Sequence, residues 1–189
     1  MKQLVDYMVA ALVLLLCCPL LLYIAIRIRM QGAGSVFYQQ ERLGKGGVPF
    51  RMVKFRTMVT GAEDGTPLLA VSDDQRVTAF GRTLRKHHLD ELPQFWNVLK
   101  GDMSIVGPRP ERAWFVQQIL EKAPDYKRIF NLKPGITSLG MVKFGYANTI
   151  EKMIERSRYD LYYLEHYSFW LDVKILLATV REVWIGKGI

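Results

Sequence analysis

The stretch His88-Leu89-Asp90-Glu91-Leu92-Pro93-Gln94 sets two carboxylates side by side at what reads as a helix start. Asp90 can cap such a helix, and Pro93 is tolerated in its first turn. Taken alone, the pair is an acidic helix terminus that the helix dipole stabilises. The cations of the chain argue for more. Lys54 and Arg56 alternate along one extended run, Arg76 and Arg85 precede the pair, and Arg109 stands between Pro108 and Pro110. Arginine's planar fork matches phosphate oxygens, and flanking prolines restrict the backbone that aims it. A carboxylate pair amid such cations resembles a magnesium diphosphate site, where Mg2+ is shared between protein carboxylates and substrate phosphates.

The elements that must position these groups are short. Val36 to Gln40 and Phe50 to Phe55 read as two strands of a hairpin, joined through Gly44-Lys45-Gly46-Gly47. Those glycines suit backbone geometry better than phosphate cradling, because no helix start follows them. Met58 to Asp74 reads as an exposed loop, broken by Gly61, Gly65 and Pro67. Helical patterns follow near Thr78 to Lys86, Asp90 to Leu99, Arg112 to Glu121 and Thr149 to Glu165. In the last segment Ser168 offers an N-cap, and Phe169, Trp170, Val173, Leu176, Leu177, Val180 and Trp184 recur at helical spacing. That face suits either a protein core or a bilayer interface.

The N-terminal region is of another kind. From Tyr7 to Ile26 no residue is charged, which is enough helix to reach across a bilayer core. A cleaved secretory signal fits poorly, because Arg27 and Arg29 stand where a small-residue cleavage site belongs. Pro19 inside this run leaves two readings open, a kinked spanning helix or a helix that bends and returns. Positive charge prefers the cytoplasmic side, so a returning helix would put Lys2 and Arg27 and Arg29 there together, while an ordinary kinked spanning helix fits these residues equally well. Half of the 189 residues are hydrophobic, and 26 Lys+Arg against 18 Asp+Glu give a net charge of +8. That balance calls for an anionic partner: nucleic acid, an acidic membrane surface or a phosphorylated substrate. Cys17 and Cys18, the only cysteines, are adjacent and cannot staple a loop framework.

Four motifs in order decide among these partners: Lys54-Phe55-Arg56-Thr57-Met58, Leu89-Asp90-Glu91-Leu92-Pro93-Gln94, Asn97-Val98-Leu99-Lys100-Gly101-Asp102-Met103-Ser104, and Val106-Gly107-Pro108-Arg109-Pro110. Together they resemble the monotopic phosphoglycosyl transferases, bacterial enzymes that initiate polysaccharide and glycoprotein glycan assembly. The likeness runs from Asp6 through Pro134-Gly135-Ile136-Thr137 to Tyr159-Asp160 and Asp172. It implies an α/β fold with a re-entrant N-terminal membrane helix hairpin, a small antiparallel sheet and amphipathic interfacial helices. The corresponding division is a membrane helix over 1–30 and a cytoplasmic catalytic domain over 31–189, on the cytoplasmic face of the bacterial inner membrane. The implied reaction moves a sugar 1-phosphate from a UDP-sugar to polyprenyl (undecaprenyl) phosphate. Asp90 is the implied nucleophile, forming a phosphosugar ester and releasing uridine monophosphate (UMP). Glu91 joins Asp90 in holding Mg2+, Lys54, Arg85 and Arg109 match phosphate-binding positions, and Arg56 and Arg76 are expected to bind substrate phosphate with them. The family does not require histidine beside the pair, so His87 and His88 suit a local structural role.

Two departures stand out. The family breaks its first helix at Ser-Pro, whereas this chain has Cys18-Pro19, and a thiol is a poorer hydrogen-bond donor than a hydroxyl. After Thr137 many relatives continue Gly-X-Ala-Gln-Val-Asn, whereas Ser138-Leu139-Gly140-Met141-Val142-Lys143 follows here. A start directly at the membrane helix reads as a minimal member or an excised catalytic domain. Membrane lipid is an expected partner, nucleic acid is not, and a homo-oligomer stays open. The competing reading is a membrane-tethered nucleic-acid binder or anionic-lipid scaffold, drawing on the charge and on Tyr38, Phe50, Tyr126 and Phe144. It leaves the carboxylate pair without a task.

Overall fold

A computed structural model describes residues 2–62 and 74–186. Two helices, α1 (Lys2–Leu16) and α2 (Cys18–Arg29), meet at a bend of 62°. Pro19 sits in the first turn of α2, where its missing N–H breaks no helical bond. Cys17 precedes that turn without a side-chain capping bond. The apolar run is therefore two helices. No single described helix is long and apolar enough to cross a membrane, whereas the bent pair taken together is.

The pair is tied to the rest of the chain by one face only. Ala10 of α1 is completely buried, and Asp6 accepts from Ser104 Oγ at 2.8 Å and the Ile105 N–H at 3.4 Å. Ile24 and Ile28 of α2 pack with Phe55 and Leu84. Leu12, Leu15, Leu16, Leu22 and Ile26 stay exposed.

The hairpin forms as the glycines suggest. Strands β1 (Phe37–Leu43) and β2 (Pro49–Phe55) pair antiparallel from Phe37↔Phe55 to Leu43↔Pro49. Gly46 and Gly47 turn the chain at φ 72° and 73°, a region that favours glycine. Of the loop expected from Met58 to Asp74, residues 63–73 lie outside the described part, and Met58 bridges Val77.

Downstream helices start where side-chain caps allow. Thr78 accepts from the Gly81 N–H to open α3 (Ala79–Lys86). Ser138, Thr149 and Ser168 cap α6 (Leu139–Lys143), α7 (Ile150–Glu165) and α8 (Phe169–Ile185) in the same way. Between them stand α4 (Gln94–Lys100) and α5 (Ala113–Lys122).

The sheet content needs a correction. Besides the antiparallel hairpin, β3 (Ser104–Val106) and β4 (Gly135–Thr137) form a parallel pair. Strands of three residues are too short to carry a readable period. Their approach needs glycine: a Cβ on Gly107 would lie 2.3 Å from the Lys133 carbonyl oxygen, and one on Gly135 2.2 Å from the Gly107 nitrogen. The main core gathers Ala10, Met52, Val98, Ile105, Leu139, Tyr163 and Ile175, so α1 shares a core with β2, α4 and α8.

Helix α8 packs one side on the core and leaves much of its apolar surface in the open. Asp172 and Ile175 are buried, while Phe169, Trp170, Leu177, Val180 and Trp184 are exposed. Asp172 is satisfied inside by Lys2 Nζ at 2.6 Å and the Tyr163 hydroxyl at 2.5 Å.

Candidate active site

Lys54, Arg56, Arg76, Arg85, Asp90, Glu91 and Arg109 all line one groove of about 510 Å³. Strand β2 delivers Lys54, whose Nζ donates to Glu91 Oε1 at 2.6 Å. Helix α3 delivers Arg85 from its last turn, with Nε donating to Thr57 Oγ1 at 2.9 Å. A Cβ on Gly81 would sit 2.1 Å from the Thr57 carbonyl oxygen, so only glycine lets α3 approach closely enough.

The carboxylate pair does not open a helix as its sequence suggests. Asp90 and Glu91 lie in a 3-10 turn, Leu89–Glu91, and α4 starts later with Pro93 at its N-cap position. Asp90 is therefore no helix cap. The chain enters this turn through His88 at φ 52°, the only non-glycine residue with positive φ among those described. That kink separates the turn from α3, and the helical pattern from Asp90 to Leu99 resolves into the 3-10 turn and α4. Asp90 is 8% exposed and accepts no hydrogen bond from a described residue. Burial pushes its carboxyl up, against the pull of Lys54 and Arg85. For Glu91 burial also raises the value, yet Lys54 and Arg109 outweigh it and bring the carboxyl down to about 2.

Arg109 follows β3, and its backbone N–H donates to Asp160 Oδ2 at 3.3 Å. Its Nε lies 3.8 Å from Glu111 Oε1, and its guanidinium 5.9 Å from the Tyr146 ring centroid. Burial favours the neutral guanidinium, but Glu91 and Glu111 more than offset this and raise its value. The other two arginines are engaged with protein partners. Arg56 donates to the Ala33 and Ile28 carbonyls at 2.9 and 3.4 Å, fastening the end of α2 to β2. Arg76 pairs with Asp74 through Nε at 2.9 Å and NH2 at 2.5 Å. That pairing holds the Asp74 carboxyl down at about 2.

Sequence reasoning missed the opposite wall. Glu111 accepts from Arg156 at 2.5 Å and from Arg42 at 3.3 Å, and both arginines line the groove. Burial pushes Arg42 down to about 10. Asp160 accepts from the Gly140 N–H at 2.9 Å and from Arg109, and burial raises its carboxyl to about 6. The sequence signals for these residues were Glu111's place directly after Arg109-Pro110 and the presence of Tyr159-Asp160 in the family likeness. Of the two histidines, His87 Nδ1 lies 3.2 Å from the Val183 carbonyl oxygen, and His88 stacks on Tyr146.

No group of three or more His, Cys, Asp or Glu stands together as a metal cage among the described residues. Magnesium is commonly bound by one or two carboxylates plus substrate phosphates, and Asp90 with the second oxygen of Glu91 is a donor set of that kind.

The sequence profile of the family described as bacterial sugar transferase matches residues 1–186. The chain belongs to that family. It is 40% identical over 187 residues to a UDP-N-acetylgalactosamine-undecaprenyl-phosphate N-acetylgalactosaminephosphotransferase of Aeromonas hydrophila, covering 99% of this chain and 44% of the relative. It is 42% identical over 189 residues to a UDP-glucose:undecaprenyl-phosphate glucose-1-phosphate transferase of Klebsiella pneumoniae, covering 99% and 41%. An uncharacterized sugar transferase of Bacillus subtilis (strain 168) is 40% identical and aligns over 100% of this chain and 90% of its own length. The chain thus spans less than half the length of the first two relatives. The family supports neither the nucleic-acid-binding alternative nor the lipid-scaffold one.

Proposed function

We propose that this sugar transferase moves a sugar 1-phosphate from a UDP-sugar to polyprenyl (undecaprenyl) phosphate by two displacements at one phosphorus. The observation that carries the reading is Asp90: a nearly buried carboxylate that accepts no hydrogen bond from a described residue, facing a groove whose neighbouring side chains include Lys54, Arg85 and Arg109. A carboxylate with little surface open to water is a stronger nucleophile than a fully hydrated one, and Lys54 and Arg85 favour its charge against the effect of burial. A carboxylate oxygen of Asp90 attacks the sugar-bearing phosphorus. The bond to the bridging oxygen breaks, and UMP leaves with that oxygen. An oxygen of polyprenyl phosphate then attacks the same phosphorus, the bond to Asp90 breaks, and the carboxylate is restored. Both attacking groups are anions, so neither step needs a general base.

Mg2+ held by Asp90 and Glu91 would supply charge neutralisation at the diphosphate. Lys54 keeps Glu91 ionised and in place. Arg85 and Arg109 present guanidinium edges to phosphate oxygens. Asp160 fixes the backbone that carries Arg109.

The acceptor is a lipid, and the outer surface of the chain suits a membrane. The bent α1–α2 pair, entering and leaving on the cytoplasmic face, would bury its exposed Leu12, Leu15, Leu16 and Leu22, while Trp170 and Trp184 of α8 sit at the interface. The test is incubation of the membrane-extracted protein with Mg2+ and a panel of UDP-sugars, including glucose and N-acetylgalactosamine donors. Without polyprenyl phosphate, one donor should release UMP in a burst no larger than the enzyme present. Turnover that begins only after both substrates are added would replace the two displacements with one.

A further inference from the structure

The proposed reaction leaves unused His88 and the segment after Thr137, and the fold brings the two together. Tyr146 lies in the irregular stretch between α6 and α7 and lines the groove. Its ring is parallel to that of His88, with an interplanar angle of 5° and centroids 6.2 Å apart. The Arg109 guanidinium lies 5.9 Å from the same ring centroid, within reach of a cation–π contact. One ring therefore touches both the residue that leads into the Asp90 turn and the arginine that follows β3.

Both ends of this contact are anchored by one carboxylate. Asp160 accepts from the Arg109 N–H through Oδ2 and from the Gly140 N–H through Oδ1. The Gly140 carbonyl in turn accepts from the Phe144 and Gly145 N–H groups, and Gly145 turns the chain at φ 87° to present Tyr146. On the other side, His88 holds a left-handed backbone that a side-chain-bearing residue adopts only where its surroundings enforce it. The Tyr146 ring faces the His88 side chain.

We propose that Tyr146 is a positioning residue, which holds the Arg109 guanidinium toward the donor diphosphate and, through its stack on His88, sets that arginine against the Asp90 turn. The proposal rests on the sugar 1-phosphate transfer reading, because it assigns the diphosphate to Arg109. Burial and the nearby Glu91 raise the Tyr146 hydroxyl above its ordinary range, so the ring acts as a neutral phenol. The contact it offers is the face of the ring, and phenylalanine retains that face.

The experiment is a double-mutant cycle on the full chain in detergent, read by calorimetric binding of uridine diphosphate with Mg2+. Tyr146→Leu should weaken binding about tenfold, whereas Tyr146→Phe should stay within about twofold of wild type. In an Arg109→Ala background Tyr146→Leu should add nothing, since the ring acts through that arginine. Thermal melts accompany each variant, and Tyr146→Met replaces Leu in the cycle if the leucine chain fails to fold. Equal weakening by Leu in both backgrounds, or a Phe variant as weak as Leu, overturns the proposal. Wild-type protein that binds no uridine diphosphate overturns this proposal and the transfer reading together. Coupled binding without UMP release from any donor overturns the transfer reading alone.

Discussion

The two walls of the groove differ in how they treat buried acids. On one wall Glu111 gives its oxygens to Arg156 and Arg42, and behind that wall Asp160 gives both of its own to backbone N–H groups. On the other, Glu91 gives one oxygen to Lys54, and Asp90 accepts no hydrogen bond from a described residue. Buried polar groups are normally satisfied, and a buried charge without partners is costly. A saturated wall is what a scaffold needs. An unsaturated carboxylate facing a cation-lined cavity is kept for something that is not protein.

The sharpest break of this contrast is Asp90→Asn, which keeps shape and removes the anion. The nucleotide burst should fall on the order of 10³-fold or more, with the melting temperature at or above that of wild type because a buried charge is gone. A burst of wild-type size in this variant would place the nucleophile elsewhere. On the saturated wall the expected damage is to folding. Glu111→Gln leaves Arg42 and Arg156 buried without their counter-charge, and removing one partner of such a group costs about 3–5 kcal/mol. Urea unfolding should show that loss even where no substrate is present, and an unchanged midpoint would mean that the wall is solvated.

Asp160 sharpens the same comparison through pH. Its value is raised from 3.8 to about 6, so the protonated form is the one the fold favours. Its contribution is complete below its ordinary value and is lost as pH rises through about 6, a difference of about 3 kcal/mol. Melting temperature should therefore decline across that window in wild type, and Asp160→Asn should flatten the decline. The smallest effect is expected outside the groove. Trp184 is 86% exposed, so Trp184→Gln should leave the melting temperature unchanged while weakening vesicle binding by about 1 kcal/mol. Unweakened vesicle binding would detach α8 from the membrane reading.

Much of this was legible in one dimension because it depends on local chemistry. The glycines between the strands, Thr78, Thr149 and Ser168 at helix starts, and Pro19 at the bend act on their neighbours along the chain. Each is borne out by the backbone. The β3–β4 pair escaped because three residues show no period, and its register depends on Gly107 and Gly135 meeting across a long sequence gap. The sequence suggests a helix cap at Asp90 because Pro93 suits a first turn and an N-cap position alike. The decisive feature was the left-handed backbone of His88, which no residue type announces.

The sequence by itself determined the chemical inventory: ordered motifs that place the chain in its family, a carboxylate pair, a surplus of arginine and lysine, and an apolar N-terminus broken at Pro19. Only the tertiary structure decided which cations remain available to a ligand. Arg56 and Arg76 reach the groove but spend hydrogen bonds on the Ala33 and Ile28 carbonyls and on Asp74, while Asp90 accepts none from the described residues. The physical reason is that composition counts charges, whereas function depends on which charges stay unpaired after folding. Pairing is set by contacts between residues far apart in the chain, as in Glu111 with Arg42 and Arg156.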